Sequence, residues 1–236
     1  MKLERLDKII SLQFNISRSV ARKAVFSGRV TLGGQVVRDP SMRLNPEESD
    51  ICYEGQAVEY KKYIYIVMNK PKGVLSASND KRRETVVDLV PERLKRNNLF
   101  PVGRLDRDTT GLLIITDDGD FAHNAISPKK KVSKTYIAEL DGAVTDDMIK
   151  LFAEGVTLAD GTACASAKLE RVGETEAKIT ITEGKYHQIK RMFGVVGLGV
   201  NNLRRVSFGG LQLPEDLDEG ECRELTSEEF ALIIDK

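Results

Sequence analysis

The chain has 236 residues, 41% hydrophobic and 31% charged, with 36 basic and 36 acidic side chains and a formal net charge of zero; it can hold one large domain or a medium and a small one, and the balance argues against a histone-like polycation without describing local patches. No apolar run approaches the roughly 18 residues of a membrane span, and the charged start Met1-Lys2-Leu3-Glu4 has no apolar signal segment. Three dispersed cysteines and two histidines point away from disulfides and metal centres and toward a reducing, cytoplasmic setting.

Charge is segregated along the chain. Residues 1–45 hold nine basic residues, Lys2 among them, against three acids, a net +6, whereas residues 207–236 hold two basic and nine acidic residues, a net −7. In the basic head, Leu3, Leu6 and Ile10 recur at helical spacing. Ser17 is placed to cap a second helix whose buried stripe is Val20, Ala21, Ala24 and Val25, with Gly28 ending it. Val30 and Leu32 alternate as a strand, Gly33-Gly34 supplies a hairpin turn, and Val36-Val37 resume. Arg18, Arg22 and Lys23 lie off the apolar stripe as one basic face, which is either only solvated or reaches a phosphate backbone.

Glu59 to Lys62 reads as a linker, giving expected domains 1–60 and 61–236. Tyr63–Met68 is a buried strand by composition, broken by Asn69-Lys70-Pro71-Lys72-Gly73; Leu112–Thr116 is a second, closed by the turn Asp117-Asp118-Gly119. Lys134–Leu140 and the alternating Ala177, Ile179 and Ile181 predict further strands. Thr145 caps a helix with Met148, Leu151 and Phe152 on one face; Tyr186–Val196 reads as another, and Thr226 with Glu229 makes a capping box for the last. Without a regular βαβ repeat, and with no G-x-G-x-x-G after a strand, the pattern predicts an α+β domain rather than a doubly wound nucleotide fold.

Three segments carry possible chemistry. In Val102-Gly-Arg-Leu-Asp106-Arg-Asp108-Thr-Thr-Gly111 a charged loop leads into a buried strand, and Asp106 either caps a turn or is held for use. In Glu183-Gly-Lys-Tyr-His-Gln-Ile-Lys190-Arg191, basic residues stand at a helix start, where they oppose the macrodipole; an anionic partner or a surface ion pair would account for them. In Lys134-Thr-Tyr136, the strand tyrosine alone says little beyond packing.

The head resembles the S4 RNA-binding domain through Arg5-Leu-Asp-Lys8, Ser17-Arg18-x-x-Ala21-Arg22-Lys23 and Gly28-Arg29-Val30 with Gly33 and Val36. The remaining motifs, G-R-L-D, D-T-x-G-L-L, K-T-Y and the G-x-x-x-Q-I-K-R-M run, resemble in order those of the pseudouridine synthases, specifically the S4-carrying RsuA-type branch that modifies ribosomal RNA. His187-Gln-Ile-Lys-Arg-Met-Phe after Gly184-Lys-Tyr resembles the small-subunit enzymes. The resemblance implies a small S4 domain followed by a catalytic domain with a mixed or antiparallel sheet, isomerising a 16S ribosomal uridine of the pseudouridine-516 type without cofactor or metal. The implied substrate is 16S rRNA or a partly assembled small subunit, acted on by a cytoplasmic monomer with no membrane attachment. It implies Asp106 as nucleophile or base, Lys190 as the cation supporting that carboxylate, Tyr136 against the target base and Ile189 as the other wall of the slot. Arg104 is implied either to fill the space of the flipped uridine or hold a phosphate, or else to pair with Asp108. RNA contacts are expected from Arg191, from Arg5, Lys8, Ser17, Arg18, Arg22 and Lys23 in the head, and from Lys129–Lys131 and Arg204-Arg205. The alternatives are a large-subunit synthase of the same family and a non-catalytic S4 ribosome-assembly protein.

Overall fold

The structure is a computed structural model and describes residues 3–234; Lys2 of the basic head and Asp235 and Lys236 of the acidic tail lie outside the described residues. The chain divides into two compact units, Met1–Ile64 with Glu92–Asn98, and Tyr65–Pro91 with Leu99–Lys236.

The first unit runs β1 (Glu4–Arg5), α1 (Leu6–Gln13), α2 (Arg18–Phe26), β2 (Val30–Leu32), β3 (Gln35–Val36), β4 (Arg43–Leu44), β5 (Ile51–Tyr53) and β6 (Gln56–Ala57). Ser17 caps α2 by accepting from the Val20 amide at 3.3 Å. The turn between β2 and β3 uses Gly33 and Gly34 at φ 55° and 78°, the paired positive angles of a tight hairpin. Leu6, Ile9 and Ile10 of α1 pack with Ala21, Ala24 and Val25 of α2 onto Val30, Ile51 and Tyr53 of the small sheet. Two expected core positions are exposed. Leu3 precedes the helix, and Val20 sits on the outer side of α2, whose stripe is carried by alanines and Val25.

The second unit runs β7 (Tyr65–Lys70), β8 (Phe100–Pro101), β9 (Thr110–Thr116), α3 (Gly119–Ile126), β10 (Lys134–Leu140), α4 (Asp146–Glu154), β11 (Lys168–Arg171), β12 (Glu176–Ile181), α5 (Gln188–Val195), β13 (Val200–Phe208), β14 (Leu211–Gln212), β15 (Cys222–Glu224) and α6 (Ser227–Ile234). Among the described residues its sheet has nine strands, in the order β11-β12-β10-β13-β9-β7-β15, with β14 on β13 and β8 on β9. Pairing is antiparallel except between β9 and β13, so the sheet is mixed and the fold is α+β. The turn expected at residues 117–119 opens a helix instead. The Asp118 carboxylate accepts from the Asp120 and Phe121 amides, which nucleates α3 and buries Phe121, Ala122 and Ala125. Tyr65, Phe121 and Phe230 meet as an aromatic cluster at 4.3–5.2 Å between ring centroids.

Two irregularities shape the sheet near its centre. Gly111, at φ +98°, faces Arg205 across the parallel pair, and a Cβ there would stand 2.2 Å from the Arg205 carbonyl oxygen. Only glycine permits this approach. Between β10 and β13, Thr135 faces Ser207 while Tyr136 faces Arg205, so Val206 is the extra residue of a bulge. Bulges re-aim side chains, and this one brings Arg205 and Phe208 to the same side of the sheet.

Candidate active site

The chemistry-bearing loop, residues 103–109, is held by the segment that follows β7. The Ser76 hydroxyl donates to the Leu105 carbonyl at 2.9 Å and accepts the Leu105 amide at 3.1 Å. The Gly73 amide donates to the Arg107 carbonyl at 2.7 Å, and Arg107 Nε returns a bond to the Gly73 carbonyl. Lys70 is the last residue of β7 and is fully buried. Its ammonium donates to the carbonyls of Pro71 at 2.9 Å, Arg107 at 3.3 Å and Thr109 at 2.9 Å. Burial pulls this ammonium down to about 8, against the neighbouring carboxylates of Asp108, Asp106 and Glu219, which hold it up. From sequence, Asn69 and Lys70 were part of a strand-breaking run; the break comes two residues later than expected, at Pro71, and Lys70 is the last residue of the strand.

A cleft of about 920 Å³ opens on this loop, and Asp106, Tyr136, Ile189, Lys190 and Arg104 all line it. Tyr136 is buried on β10, and Ile189 is buried in the first turn of α5. The helix begins at Gln188, two residues later than the sequence pattern predicts, because His187 takes φ +48°. Gln188 locks this entry: its side-chain oxygen accepts the Lys185 amide and its NH2 donates to Glu183, both at 2.8 Å.

The charges in the cleft are distributed otherwise than expected. Lys190 pairs with Asp108 at 2.6 Å, not with Asp106, and this bond holds the Asp108 carboxyl below the usual range. His187 lies beside Asp106, with Nε2 3.5 Å from Oδ1. Asp108 is therefore not the partner of Arg104, which is exposed on the cleft wall and makes no ion pair among the described residues. Arg191 points away, paired with Asp160 at 2.5 Å. The expected pair of RNA-facing arginines splits: Arg204 is exposed, whereas Arg205 is buried in the cleft floor. Lys129, Lys130 and Lys131 are exposed. Exposed Tyr186 stacks on His187 at 3.9 Å, beside the cleft.

In the first unit, the expected free basic face is partly neutralised. Arg5, Arg18 and Arg22 converge on the buried Asp7 carboxylate at 3.0, 2.8 and 2.9 Å. Burial would raise the pKa of Asp7, but the hydrogen bonds from Arg5, Arg22 and Arg18 prevail and hold it below the ordinary carboxylate range. Three guanidiniums against one carboxylate leave this cluster with a surplus of two positive charges. Arg18 and Arg22 keep about half of each side chain exposed, at 48% and 52%. Lys8 pairs with Glu4 at 2.7 Å, Ser17 is occupied as the helix cap, and Lys23 is exposed.

Comparison with known proteins agrees with this architecture. The signature of the RNA pseudouridylate synthase family matches residues 64–194, and that of the S4 domain matches residues 4–50. The chain is 41% identical over 233 residues to an uncharacterized RNA pseudouridine synthase of Bacillus subtilis (strain 168), covering 97% of this chain and 98% of that one. It is 40% identical over 232 residues to ribosomal small subunit pseudouridine synthase A of Escherichia coli (strain K12), covering 98% of this chain and all of that protein. A solved pseudouridylate synthase superposes with a TM-score of 0.69 at 35% identity, over 98% of this chain and 99% of the other. With its family signature, its full-length relatives and its fold in agreement, the chain belongs to the RNA pseudouridine synthases and carries an S4 domain at its N-terminal end.

Proposed function

We propose that this synthase isomerises one uridine of 16S ribosomal RNA, of the pseudouridine-516 type, with Asp106 as its nucleophile or base. The supporting observation is the convergence of Asp106, Tyr136 and Ile189, which come from three separate segments, on one cleft; the small-subunit assignment rests on the near full-length likeness to the Escherichia coli enzyme. A uridine reaches such a cleft only by leaving its stack, at about a few kcal/mol. Tyr136 and Ile189 offer the two apolar walls for the base, and base–aromatic contact is worth about 1–3 kcal/mol. Asp106 faces the ribose, the C1′–N1 bond breaks, the base turns, and C5 bonds to C1′. The C5 proton is lost and N1 gains one, so the product is an isomer of the substrate.

Lys190 acts at one remove, by fixing Asp108 and with it the loop that carries Asp106. Arg104 takes the space of the flipped base or one of its phosphates, and the S4 unit supplies RNA grip through its surplus charge. The substrate is 16S rRNA or a partly assembled small subunit, met in the cytoplasm by a monomeric enzyme.

The test is pseudouridine mapping of ribosomal RNA from cells that lack the protein and from cells carrying Asp106→Asn. Loss of one 16S pseudouridine in both is expected. A missing 23S site instead would reassign the substrate, and full modification with Asp106→Asn would remove Asp106 from the chemistry.

A further inference from the structure

The floor of the cleft holds two buried cations without a carboxylate. Arg205 on β13 is 3% exposed; its Nε donates to the Leu112 carbonyl at 2.7 Å, but its Nη2 is buried and has no partner. Lys134 on β10 is 6% exposed, and among the described residues its ammonium makes no ion pair and no hydrogen bond. Both lie over the ring of Phe208, at 5.4 Å for Lys134 and 5.3 Å for Arg205. Both line the cleft beside Tyr136, and the bulge at Val206 puts Arg205 and Phe208 there together. Of the acids lining the cleft, Glu183 is occupied by Lys185 and Gln188, and Asp106 faces His187. Burying one charge is unfavourable without a counter-charge, and two like charges are worse. Burial, with the charge of Arg205 added, pulls the Lys134 ammonium down to about 8, so the site already strains against holding both cations unaccompanied.

We propose that Lys134 and Arg205 form an anion seat that receives the carbonyl oxygens of the target base while that base is detached from its ribose. The proposal rests on the reading of this cleft as the catalytic one. When the C1′–N1 bond breaks, its electron pair stays with the base, and the negative charge spreads over the two ring oxygens. The new C5–C1′ bond consumes that pair; the C5 proton then departs and N1 takes one up. The charge therefore exists only between bond breaking and bond making, and donors fixed in advance in a dry site act most strongly on such a transient anion. A phosphate has the same oxygen chemistry. A phosphodiester, however, is tied to the chain on both sides and stays at the open rim, whereas the base is the part that enters as far as the sheet.

The experiment measures RNA affinity and single-turnover rate at saturating RNA for the intact protein on 16S rRNA transcripts. Lys134→Met should lower the rate about 100-fold, the scale seen when one preorganised donor to a developing anion is removed, while affinity stays within about threefold. Lys134→Arg should recover much of the rate. Transcripts containing 5-fluorouridine, whose base departs as a more stable anion, should lose less in glycosidic bond cleavage. A folded Lys134→Met variant with a rate within about threefold of wild type would overturn the proposal. So would a loss confined to affinity, which would place a phosphate in the seat. If the Met variant does not fold, Lys134→Gln is judged by the same criteria. Asp106→Asn run in parallel separates the two readings. If it is active, Asp106 leaves the chemistry and the reading of this cleft on which the seat rests falls with it; if it is inactive while Lys134→Met is unimpaired, only the seat falls.

Discussion

Replacing Lys70 by Met should damage catalysis far more than stability. Met is unbranched, one atom shorter than Lys and adaptable in a buried setting, but it removes three hydrogen bonds to carbonyls. The Arg107 carbonyl keeps the Gly73 amide at 2.7 Å. The Thr109 carbonyl is left without Lys70 in a buried setting, at about 1–3 kcal/mol, and the partly buried Pro71 carbonyl loses about 0.5–1.5 kcal/mol. Against this, burial has already lowered Lys70 from 10.5 to about 8, and each pKa unit corresponds to about 1.4 kcal/mol. The wild type therefore carries a cost of about 3–4 kcal/mol for a charge that Met does not bury. The terms nearly cancel, and the net change in stability is within about 2 kcal/mol of zero. The loop carrying Asp106, however, loses the Lys70 bonds to the carbonyls on both sides of Asp108 and keeps the Gly73 and Ser76 anchors. A displacement of about 1 Å at a reacting group costs on the order of 100-fold in rate. Guanidinium denaturation gives the first quantity, and single-turnover pseudouridine formation at saturating RNA gives the second. A rate within about threefold of wild type, or a rate loss equal to the unfolded fraction, would refute the argument that Lys70 positions this loop.

Gly111→Ala should destabilise the second unit by about 2–5 kcal/mol, since the new Cβ meets the Arg205 carbonyl at 2.2 Å and the backbone keeps a positive φ; thermal or denaturant unfolding measures it, and a change below about 0.5 kcal/mol would count against the close approach. Asp7→Asn should cost the first unit about 3 kcal/mol, the low end for breaking a buried pair, because its arginines are half-exposed and can turn to water. The folded pKa of Asp7 is depressed, so its contribution is present above its unfolded pKa of about 4 and is lost as pH falls below it. Acid titration of the wild type and the Asn variant should show stabilities that converge at low pH.

Local signals were legible where one residue decides an outcome. The capping box closes as expected, with the Thr226 amide 2.9 Å from Glu229 and the Glu229 amide 3.2 Å from the Thr226 hydroxyl. Thr145 caps α4, and β10 spans Lys134–Leu140, although its burial is nearly continuous because it is central in the sheet. Helix α3 was hidden because Asp118-Gly119 is also turn chemistry; Phe121, Ala122 and Ala125 at helical spacing were the available signal. Of the candidate site, the motifs brought Asp106, Tyr136 and Ile189 forward through their resemblance to a family. Pairings between distant segments had no local signature. Nothing in the sequence near Asp7 says that three arginines converge on it, and nothing near Lys190 chooses Asp108 over Asp106. Arg205 was expected beside Arg204 as a contact to the RNA backbone and Lys134 only as the first residue of the K-T-Y motif; the bulge that turns Arg205 toward Phe208 is a property of two strands together.

The position of β13 bears on when the enzyme comes into being. Residues 65–116 and residues 134–181 each pair among themselves, and among the described residues only the strand Val200–Phe208 bridges them, lying between β9 and β10. Asp106 belongs to the earlier block and Tyr136 to the later one. During synthesis, a chain that has not yet released residue 208 from the ribosome cannot complete the sheet, and so cannot bring the two together. Joining strands this far apart in sequence is slow compared with local helix formation. Modification of RNA thus waits until the chain has emerged through β13, and a chain truncated before β13 has its motifs but no assembled cleft.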